Sequence, residues 1–195
     1  GLRRRLSANG GDREAEDVSS VLQYLARLEG LTQNLRNMSR MSDRTVESID
    51  LKQCISNVLD LFIPQLQEKF IRITTELPTG DQKVMANVGN LEQVLINLLA
   101  NARDAVEGRD DAEICISVRR SEDMVRIAVI DNGDGVPAEN IDHLFEPFFT
   151  SKERGKGTGL GLAIVRRLVI EMDGKIEIDQ TYQTGAKFVI SLRAA

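Results

Sequence analysis

No stretch of this 195-residue chain approaches the roughly 18 consecutive apolar residues that a bilayer-crossing helix needs, and no secretory leader is visible at its start. A membrane span within the sequence is thereby excluded. The expected location is cytoplasmic, either free or as the cytoplasmic part of a membrane-anchored protein, and the opening Gly1-Leu2-Arg3 without methionine reads as a cut end. Cysteine is scarce: Cys54 and Cys115 lie singly among apolar residues, outside any Cys-x-x-Cys or Cys/His cluster. That excludes a disulfide framework and a thiolate metal site, and predicts two buried free thiols. Positive charge is in deficit, with 25 Lys and Arg against 30 Asp and Glu and a net charge of −5. A nucleic-acid binder needs a basic face to neutralise phosphates, so nucleic acid is not an expected partner despite the short Arg3-Arg4-Arg5 run. Histidine occurs once, at His143.

What remains is an ordinary globular composition, 42% hydrophobic and 28% charged, enough for one domain with a helical appendage. Residues 1–17 are polar with a Gly10-Gly11 break and read as a remnant followed by a loop. From Val18 to about Arg44, Leu22, Leu25, Leu28, Leu31, Leu35 and Met38 recur every three or four residues, the stripe of an amphipathic helix that pairs with another helix. The third segment, residues 46–195, alternates between patterns. A short strand around 46–51 and a helix from Lys52 to Glu68 are expected, then strands at 71–77 and 84–86 and a helix from Leu91 to Val106 closed by Gly108. Alternation over 114–120 and 124–131 predicts a hairpin, 159–172 a helix, and 175–180 and 187–192 the closing strands. This mixture predicts a two-layer α/β sandwich with one sheet face covered by helices.

Four short elements in this segment carry chemistry. In Asn97-Leu98-Leu99-Ala100-Asn101-Ala102-Arg103-Asp104-Ala105 the two amides stand four residues apart, on one helix face. An amide oxygen is a neutral hard ligand of the kind Mg²⁺ accepts, although a pair of asparagines on a solvated face is the plainer alternative. In Asp131-Asn132-Gly133-Asp134-Gly135 a carboxylate ends an apolar strand and the glycines permit close approach of a ligand; a simple Asn-Gly turn would account for only part of the pattern. Gly155-Lys156-Gly157-Thr158-Gly159-Leu160-Gly161 runs into a helix, where free amides and the positive end of the dipole suit phosphates. Its polar approach differs from the buried strand that leads a dinucleotide fingerprint. Thr158 is a candidate donor, and Lys152 and Lys156 are candidate cations or, equally, solvated lysines. Phe145-Glu146-Pro147-Phe148-Phe149 concentrates three of the six phenylalanines, as hinge or as core; His143 beside it reads as incidental.

In this order the four elements resemble the catalytic ATP-binding domain of sensor histidine kinases, in the wider GHKL ATPase family, over residues 18–195. The resemblance implies a Bergerat-type two-layer α/β sandwich preceded by a long helix of a dimerisation bundle, with ATP and Mg²⁺ as cofactors. It implies Asn101 as the Mg²⁺ ligand, Asn97 as its polar support and Lys152 as a catalytic cation. Asp131 would read the adenine amine, with Gly133 and Gly135 beside it. Asp104, Phe148, Lys152, Lys156, Gly157, Thr158, Gly159, Leu160 and Gly161 would line the rest of the nucleotide site, partly as a lid. The form Asn-x-x-x-Asn-Ala-x-Asp-Ala is similar to kinases of the nitrogen-regulation, oxygen-sensing and dicarboxylate-sensing type. Asn87 stands where the family often has Asp, and Gly89-Asn90 where a basic residue is common.

The resemblance further implies homodimerisation through a helical bundle, with residues 18–45 as its second helix, a response-regulator receiver domain as partner, and membrane contact only through regions outside this chain. Its phosphoacceptor is a histidine followed by Glu or Asp, and residues 1–50 hold no histidine. The chain alone is therefore expected not to autophosphorylate. Hydrolysing relatives carry a Glu four residues before the Mg²⁺-binding Asn to activate water; Asn97 occupies that place and cannot act as a base, which favours transfer over hydrolysis. A regulatory nucleotide binder or a protein serine kinase on the same scaffold is the alternative.

Overall fold

The computed structural model describes residues 45–80, 82–152 and 157–195. The helix expected over 18–44 and the polar segment before it lie outside the described residues, as do Gly155 and Lys156. The chain divides into two compact units, one of residues 44–149 and 159–195, the other of residues 1–43 and 150–158.

The larger unit opens with β1 (Glu47–Asp50) and α1 (Leu51–Glu68). Asp50 ends the strand and caps the helix, its carboxylate accepting from Lys52 N at 2.9 Å and Gln53 N at 3.2 Å. Leu51, Cys54, Ile55, Val58, Phe62 and Leu66 form the buried stripe of α1. Pro64 removes one ladder donor, yet the helix runs through it because Phe62 and Leu66 on either side are anchored in the core. After β2 (Arg72–Glu76) and β3 (Lys83–Ala86), α2 (Val88–Val106) begins three residues earlier than periodicity suggests. The reason is Asn87, whose side chain accepts from Asn90 N at 3.0 Å, so it supplies the cap that an Asp would. The chain continues through β4 (Glu113–Arg120), β5 (Met124–Asp131), a single 3₁₀ turn (Ala138–Asn140), α3 (Gly161–Glu171), β6 (Lys175–Ile178) and β7 (Lys187–Arg193).

Both α1 and α3 close in the same way. Ile71 N reaches back to Leu66 O and Gly174 N to Val169 O, each at 2.9 Å, and the residue before each donor, Phe70 or Asp173, sits in the left-handed region.

β1 and β3 pair antiparallel as a small sheet, and the main sheet has the order β2-β4-β5-β7-β6. β2 and β4 run parallel, an arrangement that local alternation does not reveal, and the remaining neighbours are antiparallel. Period-two alternation gives each strand one apolar face. Ile114, Ile116, Val118, Val125, Ile127, Val129, Ile190 and Leu192 on that face are buried in one core with Leu95, Leu98 and Leu99 of α2 and Val165 and Val169 of α3. The main sheet is thus packed against helices on one side, the α/β sandwich expected.

The two cysteines separate. Cys54 is buried, and burial, aided by the charge of Glu92, pushes its thiol up to about 12. Cys115, expected to be buried as well, falls on the other face of β4 opposite Ile130 and is only half-buried. Cys54 is therefore expected to resist alkylation by iodoacetamide at pH 8 and to react at the free-thiol rate only in denaturant, as read by peptide mass spectrometry. Equal labelling of both cysteines in the native protein would contradict this burial. Among the described residues no helix is long and apolar enough to cross a membrane.

Of the smaller unit only residues 150–152 and 157–158 are described. Within it Lys152 N donates to Thr150 Oγ1 at 3.2 Å, and a Cβ on Gly157 would stand 2.5 Å from that same oxygen.

Candidate functional site

The apolar face of α2 is consumed by Leu91, Val94, Leu95, Leu98, Leu99, Ala102 and Val106. Asn97 and Asn101 fall on a second, half-buried face. Asn97 Nδ2 is fully buried and has no hydrogen-bond partner among the described residues. A buried donor left open costs about 1–3 kcal/mol, which marks a place where an acceptor belongs. One turn further on, a Cβ on Gly161 would lie 4.0 Å from Asn101 Nδ2, so the first residue of α3 faces Asn101. The N-cap of α3, Leu160, offers no side-chain capping bond. The first amides of an eleven-residue helix are then free of an internal cap, beside an amide that can hold a cation.

Asp104, three residues beyond Asn101, is engaged by its neighbour. Arg103 donates to its Oδ1 from Nε at 3.1 Å and from the terminal amine at 2.8 Å, and reaches Gln65 Oε1 of α1 at 2.8 Å with its other amine. Arg103 is not among the site residues that sequence reasoning selects; its place inside the asparagine element is the one signal that points to it.

Asp131 is the last residue of β5 and is 4% exposed. Its Oδ1 accepts from Gly133 N at 2.9 Å and from Ala186 N at 3.2 Å, while its own N–H donates to Ala186 O at 2.9 Å. Burial raises its pKa above the ordinary carboxylate value, and the two backbone bonds pull the other way without cancelling that rise. Oδ2 accepts no hydrogen bond among the described residues, so one oxygen fixes the side chain and the other remains for a ligand. Asn132 is the structural member of the pair. It accepts from Glu113 N at 2.8 Å and donates to Asp111 O at 2.7 Å, tying the end of β5 to the start of β4. Gly133 has no room for a side chain, since a Cβ there would stand 2.7 Å from Ala105 O. Gly135 follows, with positive φ.

Gly185 and Ala186, visible in the sequence only as part of a closing turn, prove to be the backing of Asp131. At Gly185, with φ of 145°, a Cβ would lie 1.9 Å from Asp131 O. Local sequence carries no trace of this contact, because it depends on how β7 pairs with β5.

The aromatic segment splits three ways. Phe145 packs against the core, Phe149 lies 6.0 Å from the His143 ring, and Phe148 is 73% exposed with φ of 69°. Phe148 N donates to Gly159 O at 2.8 Å, and a Cβ on Gly159 would fall 2.4 Å from Phe148 C. Core packing therefore describes Phe145 and not Phe148. His143 is exposed and bonds Glu146 Oε1 at 2.9 Å, which raises its pKa.

The larger unit thus holds Asn97, Asn101, Asp104, Asp131, Gly133, Gly135, Phe148, Gly159, Leu160 and Gly161. Lys152, Gly157 and Thr158 belong to the smaller unit, and Lys156 lies outside the described residues. Among the described residues there is no group of three or more His, Cys, Asp or Glu that could enclose a metal. A cation here would depend on an amide oxygen and on its own ligand's phosphates, the manner of Mg²⁺.

The profile of the family described as histidine kinase-, DNA gyrase B-, and HSP90-like ATPase matches residues 86–195. The C4-dicarboxylate transport sensor protein DctB of Rhizobium meliloti (strain 1021) is 32% identical over 93% of this chain and 29% of its own length. The two-component sensor PprA of Pseudomonas aeruginosa is 34% identical over 100% of this chain and 22% of its own. The chain therefore spans less than a third of either relative. Among solved structures, the catalytic domain of histidine kinase ThkA superposes with a TM-score of 0.69 at 32% identity, covering 76% of this chain and 95% of that domain. ThkA in complex with the response regulator TrrA gives 0.74 at 26% identity, over 92% of this chain and 51% of that one. With the family profile covering more than half of its residues and the fold matching a kinase catalytic domain almost end to end, the chain belongs to the histidine kinase-, DNA gyrase B- and HSP90-like ATPase family, among its histidine kinase catalytic domains.

Proposed function

We propose that this domain binds Mg-ATP and donates the γ-phosphoryl group to a histidine on a helical bundle, for relay to an aspartate of a response-regulator receiver domain. The observation that carries the reading is that α2 meets both neighbouring motifs, Gly161 at the start of α3 against Asn101 and Gly133, two residues past Asp131, against Ala105 one turn further along. Asp131 Oδ2 accepts from the adenine amine while Oδ1 stays on Gly133 and Ala186. Gly133 lets the base approach the backbone, and Asn97 Nδ2 supplies a donor. The amides at the start of α3 bind phosphate oxygens, and Asn101 holds Mg²⁺ through its amide oxygen. When bound, the ion supplies charge neutralisation at the β- and γ-phosphates. Asn97 cannot accept a proton from water, so the site orients the phosphoryl group for an external nucleophile. Lys152, Lys156, Gly157 and Thr158 are assigned to the lid side of the nucleotide, with Asp104, Phe148, Gly159 and Leu160 around it.

In the same proposal residues 1–17 lead into the bundle, 18–45 are its second helix and 46–195 the catalytic domain, working as a homodimer. The response regulator seen with ThkA supports that class of partner.

The test pairs binding with transfer. Calorimetry should show Mg²⁺-dependent ATP binding that Asn101→Ala weakens by about 30-fold or more, the loss of one ligand to a phosphate-bound cation. With γ-radiolabelled ATP the chain alone should stay unlabelled, because its one histidine, His143, is followed by Leu144 and not by the Glu or Asp of the acceptor pair. Added to a separately produced histidine-bearing bundle domain of a relative, it should transfer acid-labile label to that domain. ATP binding indifferent to Asn101, or label that is acid-stable and on serine, would overturn the assignment.

A further inference from the structure

The main sheet has a second face, turned away from α2, α3 and Asp131, and its side chains fall in rows across the strands. One row reads Glu76, Ser117, Ala128, Val189, Glu177 in register from β2 to β6. The next reads Arg119, Arg126, Ser191, Lys175. Small residues in the first row, between the basic row and Ile130 with Lys187, leave a trough of about 360 Å³. Its floor is close-packed, with Ser117 at 8% and Ala128 at 5% exposure.

The charges around the trough are unequally matched. Arg119 bonds Glu76 at 3.0 Å and Lys187 bonds Asp179 at 2.9 Å, which with Thr181 holds the Asp179 carboxyl at about 2. Arg126 makes no hydrogen bond or ion pair through its side chain among the described residues, and it stands directly opposite Arg119 in the β4–β5 ladder. Like charges directly opposite on paired strands repel and destabilise the pair. In a chain whose net charge is −5, this is a local excess of positive charge beside an apolar floor. A carboxylate set between two guanidinium forks would relieve the repulsion with charge-assisted bonds. An aliphatic side chain beside it would cover Ala128, Ile130 and Val189.

We propose that this sheet face, uncovered among the described residues, is a docking surface for an acidic segment of a partner protein, with a carboxylate bridging Arg119 and Arg126 and an aliphatic neighbour seated on Ala128 and Val189. The surface lies on the opposite side of the sheet from the nucleotide site, so the inference does not depend on the proposed function.

Amide chemical-shift mapping of the isotope-labelled chain tests it with three probes: a soluble peptide alternating Glu and Val, the same peptide with Lys for Glu, and oligothymidylate. The acidic peptide should give saturable shifts at Ser117, Arg126, Ala128 and Val189. The double variant Arg119→Gln/Arg126→Gln should weaken that binding at least about tenfold. High salt should weaken it as well, by screening exposed charges. ATP affinity should be unchanged in the double variant, and its melting temperature close to the parent's, because relief of the like-charge pair offsets loss of the exposed Arg119–Glu76 pair. Absence of saturable shifts on this face, equal response to the Lys peptide, or undiminished binding by the double variant would each overturn the proposal. Stronger shifts with oligothymidylate than with the acidic peptide would replace the protein partner with a nucleic acid and overturn it too.

Discussion

Replacing Asp131 with asparagine should remove ATP binding by a factor on the order of 10²–10³ and leave the domain at least as stable at neutral pH. The two outcomes have separate causes in one side chain. Asn keeps an Oδ1 that can accept from Gly133 N and Ala186 N, so the β5 terminus stays anchored. Under the proposed adenine role it turns Oδ2 into an amide donor facing the donor amine of the base, and a site that accepted a hydrogen bond then presents a repulsive contact. Stability follows from the sign of the shift. The folded-state pKa of Asp131 is raised, chiefly by burial, so the stability linked to this group is fully present below the unfolded carboxylate value and lost as pH rises through the raised one. At neutral pH the native domain carries the cost of a buried ionised carboxylate, and the neutral amide does not. ATP affinity of the native protein should also fall as acid protonates Oδ2, with a midpoint above the ordinary Asp value, whereas the variant's residual affinity should not titrate there. Calorimetric titrations and thermal melts at a series of pH values check all three statements. Retention of affinity within threefold would remove Asp131 from the adenine role.

Gly185→Ala carries the second large effect, on folding itself. The new Cβ would stand 1.9 Å from Asp131 O and 2.8 Å from Asn132 Cα, both backbone atoms of a paired strand end, at a φ of 145° that L side chains rarely adopt. Neither neighbour is a flexible side-chain tip, so relief requires the β6–β7 turn to leave β5. Overpacking of this kind costs about 1–3 kcal/mol and left-handed backbone a further 1–2, so a loss of about 2–5 kcal/mol is expected. Urea denaturation measures it, with Thr184→Ala, one exposed residue earlier, as a control expected within about 0.5 kcal/mol of the parent. Because Ala186 also leaves Asp131 Oδ1 when the turn moves, whatever folded variant survives should bind ATP more weakly than the control. A variant as stable as the control would mean that the turn does not pack against the Asp131 backbone.

Elements whose cause lies within a few residues are legible in the amino-acid sequence. The stripe of α2 and the alternation in β4 and β5 are such cases, and so is the carboxylate at the end of β5. Boundaries are less so: the Asn87 cap moves the start of α2 to Val88, since a capping bond spans three residues that periodicity alone does not weigh. Cys115 shows the limit at one position. Its apolar neighbours Ile114 and Ile116 point to the core, and the pleat places it on the opposite face.

The order of the motifs and their residue types are enough to assign the chain to its family, because those signals are local and chemical. Tertiary structure alone decides what completes them. The parallel pairing of β2 with β4, the meeting of Gly161 with Asn101, and the bond from Ala186 to Asp131 across 55 residues depend on strand register and helix packing. Such contacts form only once non-local burial offsets the entropy of closing long loops, and no window of sequence contains both partners.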